Sequence, residues 1–188
     1  MPRINPGGPF NRYFHNKPIS GPRLITGLSK YFPSIICLKN MASRSSGMTE
    51  EAVKFIEKKL NLSTFPVLER LIHDKESHIR MVGALILAQQ RRTFPLHVTL
   101  LLGTLIANNE ENRTIRSIVA LTMGDIRQNA SLAILKVLRK DPDKTVRLHT
   151  VNSLGKLIDF DPKETLSLLA ESALDPDITV SMAARKFL

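Results

Sequence analysis

The feature that most restricts this chain is an internal repeat. Four apolar anchors, Ile79, Ile115, Val146 and Val180, follow one another at intervals of 36, 31 and 34 residues. The same residue types recur at fixed offsets from them. Five positions earlier stand Asp74, Glu110, Asp141 and Asp175, acidic in all four. One position later stand Arg80, Arg116 and Arg147, with Ser181 in the fourth place. Eight positions later stand Leu87, Met123, Leu154 and Leu188, and nine positions later the small residues Ala88, Gly124 and Gly155. A period of this length means one supersecondary unit laid down several times, each burying a face that it cannot bury alone.

Each column has a physical role. The acid falls in a turn ahead of a helix, where a carboxylate accepts backbone N–H groups and meets the positive helix end. The anchor and the residue eight later lie two turns apart on one face, which makes a buried stripe. The small residue lets a neighbouring helix approach closely. The Arg, one step off the stripe, sits at the edge of the buried face, within reach of an acid of its own repeat or the next. Between these segments lie further apolar patterns at helical spacing: 50–61 (Val53, Ile56, Leu60), 66–73, 95–107, 130–139 and 162–174. Thr49 and Ser63 suit helix starts, and Pro66, Pro95 and Pro162 stand near starts, where a missing N–H costs nothing. No segment alternates with period two, so the expected class is all-α.

The phrases DPDKTVRLHTVNSLGKL (141–157) and DPDITVSMAARKFL (175–188), with ESHIRMVGALILA (76–88) and NRTIRSIVALTMGDI (112–126) following less closely, resemble the HEAT repeat family. The nearest likeness is to the short HEAT-like repeats of the phycobilisome-lyase type. The resemblance covers about residues 65–188 as four repeats, with a leading helix at 50–61. It implies an α-solenoid of about four helix pairs, wound as a right-handed superhelix with the second helices lining a concave surface. It is a likeness of scaffold and carries no activity with it. The fourth repeat departs from the pattern at Ser181, and its expected exposed Phe187–Leu188 end has two readings, a truncated array or an end covered by another chain.

The charge is uneven. Of 188 residues, 27 are Lys or Arg and 17 are Asp or Glu, for a net charge of +10. Residues 1–48 hold seven of the cations (Arg3, Arg12, Lys17, Arg23, Lys30, Lys39, Arg44), six prolines, five glycines and no acid. Such a segment reads as a basic extended arm, apart from the repeat region 49–188. Three readings of it stand side by side: a mitochondrial targeting segment, a phosphate-binding arm for RNA or DNA, and upstream sequence ahead of a start at Met41 or Met48. The compartment is accordingly mitochondrial, or otherwise cytoplasmic or nuclear. No apolar run reaches the length of a membrane helix, and Lys30 and Pro33 break the stretch that a secretory signal would need.

Residue chemistry for catalysis is sparse. A single cysteine, Cys37, rules out an intrachain disulfide and a cysteine-based zinc site. His15, His73, His78, His97 and His149 lack metal-ligand spacing, and no phosphate loop or nucleophile elbow occurs. We therefore expect no catalytic residues, metal or cofactor. Basic clusters at Arg91 and Arg92, at Arg113 and Arg116, and at Arg139, Lys140, Lys144 and Arg147 face two readings. They form a ridge for a partner, with Arg80, Arg91, Arg92, Arg113, Arg116 and Arg147 as contacts, or they are consumed in ladders such as Arg147 with Asp141 or Asp143. The expected function is a non-catalytic scaffold, adaptor or assembly subunit binding a macromolecule through the concave face. The alternative is a nucleic-acid-binding accessory protein, as in an organellar ribosome, using the arm and the Arg ridge.

Overall fold

A computed structural model describes residues 65–188. The arm, the 50–61 helix and Cys37 lie outside the described residues. Every regular element among those described is helical. The helices are α1 (Phe65–Ile72), α2 (Ser77–Gln89), α3 (Pro95–Ala107), α4 (Arg113–Met123), α5 (Asn129–Leu138), α6 (Lys144–Gly155), α7 (Pro162–Ser172) and α8 (Ile178–Arg185), with a 3-10 turn at Gln90–Arg92. Pro95 and Pro162 open α3 and α7, as their fixed φ and missing N–H favour.

The chain divides into two compact units, with the boundary after Leu87. In the first, α1 and the start of α2 bury Leu68, Leu71, Ile72, Ile79 and Val82. A Cβ added at Gly83 would stand 2.9 Å from the Ile72 side chain and 3.0 Å from that of Leu71, so a bare backbone is what lets α2 lie against α1. In the second unit α6 packs against α4 on one side and α8 on the other, and also touches α5 and α7. The first helix of each pair therefore covers its own second helix while the second helices run side by side.

The anchors Ile115, Val146 and Val180 are at most 1% exposed. The stripe partners Met123 and Leu154 are fully buried too, and each such side chain contributes about 1.5–3 kcal/mol. The fourth repeat breaks the rule. Leu188 is 62% exposed, because α8 closes at Arg185 and its last buried residue is Ala184. Phe187, expected to be exposed, is half-buried instead, and its ring lies over Gly155.

Small residues meet the same structural position in the next repeat. Gly124 faces Ser153, and a Cβ there would come within 2.6 Å of the Ser153 Cβ and 2.7 Å of its Cα. Gly155 faces Phe187, which occupies the column of Ser153 one repeat on. Among the described residues no helix is long and apolar enough to cross a membrane.

Candidate functional site

The acids of the repeat build four identical turns. Asp74, Glu110, Asp141 and Asp175 each accept the backbone N–H two residues on, from Glu76, Asn112, Asp143 and Asp177, at 2.8–2.9 Å. Three second helices then start on a side-chain cap. Asn112 accepts from the Thr114 N–H, Asp143 from Thr145 and Val146, and Asp177 from Thr179 and Val180.

The arginines close the same turns from inside the helix. Arg80 Nη1 donates to the carbonyls of Asp74 and Lys75, Arg116 Nη1 to those of Glu110 and Glu111, and Arg147 Nη1 to those of Asp141 and Pro142. The rest of the guanidinium reaches forward. Arg116 holds both oxygens of Asp141, at 2.6 and 2.9 Å, and Arg147 holds both oxygens of Asp175, at 2.7 and 3.0 Å. Each fork is the bidentate geometry in which guanidinium and carboxylate bind most strongly. Arg147 thus pairs with the acid of the next repeat, not with Asp141 or Asp143; it meets Asp141 only at the backbone. Both pairs are largely withdrawn from water, with Asp141 and Asp175 side chains 4% and 8% exposed.

Outside this line run further ion pairs, each linking residues about one repeat apart. Arg113 meets Asp143, Lys144 meets Asp177, Lys136 meets Glu164 and Arg139 meets Glu171. Asp125 is held from both sides, by Arg91 at 2.7 Å and Lys156 at 2.8 Å. Of the cations expected to touch a partner, Arg91, Arg113, Arg116 and Arg147 are therefore engaged by acids, and Arg92 is exposed. What the spacing does bring together is the set Glu110, Asp141 and Asp175 with Arg116 and Arg147, one continuous line along the turns.

The electrostatics follow the contacts. The Arg147 guanidinium, with the Asp177 N–H, holds the Asp175 carboxyl below its ordinary range against the pull of burial. Lys144, with the Thr179 and Val180 N–H groups, does the same for Asp177. At Asp143 burial pushes upward, but hydrogen bonds from Thr145, Arg113 and Val146 outweigh it and leave the carboxyl low. Arg116 and Arg147 are pushed up, chiefly by their hydrogen bonds to Asp141 and Asp175, and stay charged. Because these carboxyls are depressed in the folded state, their stabilisation is complete above the unfolded value of about 4 and is lost as pH falls through the folded values. Thermal melts followed by circular dichroism should be nearly level between pH 7 and 5 and drop steeply below pH 4. Substituting Asp143, Asp175 and Asp177 together by Asn should flatten that drop; an unchanged acid profile would contradict the assignment.

The remaining surface is partly apolar. A groove of about 800 Å³ has Ile106, Val137 and Pro142 among its lining, with charged groups such as Glu111, Lys140 and Glu171. Val137 is 60% exposed, and Leu96, Leu100, Leu174, Ile178 and Met182 are exposed as well. Leu96, Leu100 and Leu174 belong to the apolar patterns read over 95–107 and 162–174, yet the first two face outward from α3 and Leu174 stands in the turn after α7; Val137, Ile178 and Met182 are exposed on helices whose buried faces set the period. His73 hydrogen-bonds the Glu69 carbonyl, and His97 meets the edge of the Phe94 ring. Among the described residues no three His, Cys, Asp or Glu stand together as a metal site would require. In comparisons with known proteins, no family profile and no curated relative matches this chain.

Proposed function

We propose that this chain is a short α-solenoid of HEAT-like helix pairs, without a catalytic centre, that serves as an adaptor or assembly subunit by presenting a face to another protein. The second helices would line its concave side. The observation that supports this best is a contrast on the surface. Cations that a nucleic-acid binder would leave facing phosphate are held by acids one repeat away, whereas large apolar side chains stand in solvent. The competing reading, RNA or DNA held by the arm, rests on the seven cations and absent acids of residues 1–48.

Affinity purification of the full chain at low and high salt, with mass spectrometry of what is retained, separates the two. The adaptor reading expects a defined protein partner kept at high salt and kept when residues 1–48 are deleted. Co-purifying RNA or DNA that is lost steeply with salt and on deletion of 1–48 would overturn it. Charge reversal at Arg116 or Arg147 is a poor probe here, because both hold turns together; Arg92 and Arg113, which are exposed, are the informative positions. Carried with the adaptor reading is a mitochondrial location, from the composition of 1–48; a fluorescent fusion that stays outside mitochondria would remove it.

A further inference from the structure

The helix α3 runs for 13 residues without an Asp, Glu, Lys or Arg. A helix that is apolar on every side is normally buried on every side. Yet α3 buries only Val98, Thr99, Leu102 and Leu105, and leaves Leu96 55% and Leu100 58% exposed. Ala107 is exposed as well, and Gly103 is half-buried at the flank beside Ile134. Leu96, Leu100, Gly103 and Ala107 follow one another at four, three and four residues, which puts them on one face. Aligned on their buried residues, α5 and α7 hold Asn129 and Ala133, and Lys163 and Ser167, in the places of Leu96 and Leu100, all exposed. Since α5 touches α3 on one side and is tied to α7 on the other, this column faces away from the neighbouring helix pairs.

Charges of opposite sign stand at the two ends of this face. Arg92 lies in the 3-10 turn ahead of α3 and Glu111 in the turn after it; both are exposed, and among the described residues no side chain holds either. Thr104, on the flank, donates its hydroxyl to the Leu101 carbonyl and so asks for no further partner. From end to end the order is a cation, two leucines, two small residues and an anion. The pairs Arg92 and Glu111, Leu96 and Ala107, and Leu100 and Gly103 share one midpoint, between Leu101 and Leu102. A second α3 laid antiparallel about a two-fold axis at that midpoint sets every member of a pair opposite its complement. Each leucine then meets a small residue, which lets the helices approach, and each guanidinium meets a carboxylate, twice over by symmetry.

We propose that the outward face of α3 joins two copies of this chain. Leu96 and Leu100 of each copy pack on Ala107 and Gly103 of the other, and Arg92 pairs with Glu111 at both ends. Charge selects a second copy as the occupant, because the complement of this face is the same face reversed. Nucleic acid would gain at Arg92 and lose at Glu111, and a wholly basic segment such as residues 1–48 would gain at Glu111 and lose at Arg92. The contact uses a first helix and leaves the second helices uncovered, so it goes beyond the adaptor reading and does not depend on it.

The test is sedimentation velocity on the full chain over a wide range of concentration, where a monomer–dimer equilibrium is expected. Leu100→Glu should raise the dissociation constant about a hundredfold, with an unchanged circular dichroism spectrum because the position is exposed. Arg92→Glu and Glu111→Arg should each raise it about tenfold, and the two together in one chain should restore it. Direction is read from disulfides in a Cys37→Ser background. Leu96→Cys chains mixed with Ala107→Cys chains should cross-link to one another, and Leu96→Cys chains alone should not. A monomer at every concentration, a dimer indifferent to Leu100→Glu, a charge swap whose losses add, or a disulfide between two Leu96→Cys chains would each overturn the contact. The adaptor reading is tested separately, by the partner retained in affinity purification.

Discussion

Asp141→Leu is expected to destabilise the second compact unit by about 3–5 kcal/mol, the cost of leaving a largely buried charge without its partner. Arg116 would keep its bonds to the Glu110 and Glu111 carbonyls but lose both carboxylate contacts, and the Asp143 N–H would lose its acceptor. A loss of this size is a large part of the stability of a small domain, so the variant should melt far lower or fail to fold. The decisive measurement is a double-mutant cycle by urea unfolding. Arg116→Met with Asp141→Leu removes both charges, and its loss should be well below the sum of the two single losses. Additive losses would mean that the fork contributes little beyond its separate backbone contacts.

Gly124→Val should cost about 3 kcal/mol for a different reason. The new Cβ would meet the Cβ and Cα of Ser153, and backbone cannot swing aside as a side chain can. The helices α4 and α6 would have to part. Gly155→Ala offers the control. Its Cβ meets the Phe187 ring near the end of the chain, and a ring can rotate away, so about 1 kcal/mol is expected. If the two variants melt alike, the close approach of α4 and α6 is not what Gly124 provides.

The helices were legible because their signals are local. Pro95 and Pro162 mark the first residues of α3 and α7, and the helix expected over 130–139 shifts by one residue to Asn129–Leu138. The repeated acid was legible for the same reason, since its bond to an N–H two residues away depends on nothing distant. The Arg clusters were legible only in part. In the sequence a run such as Arg139, Lys140, Lys144 and Arg147 reads either as a free cationic ridge or as ladders to acids, and only packing reveals that the acids opposite most of it lie about 30 residues away. The end of the last stripe was equally hidden: Leu188 obeys the period, but α8 stops before reaching it.

What the sequence by itself determined is an all-helical chain of repeated turns, because helix periodicity, caps and turn acids act within a few residues of one another. What the tertiary structure decided is which charges meet and which apolar side chains are left in water. That choice depends on how far one helix pair is displaced from the next, a distance written in no single residue and set by contacts such as Gly124 on Ser153. The displacement aligns Arg147 with Asp175 rather than with the acids of its own turn, and it leaves Ile178 and Met182 facing outward.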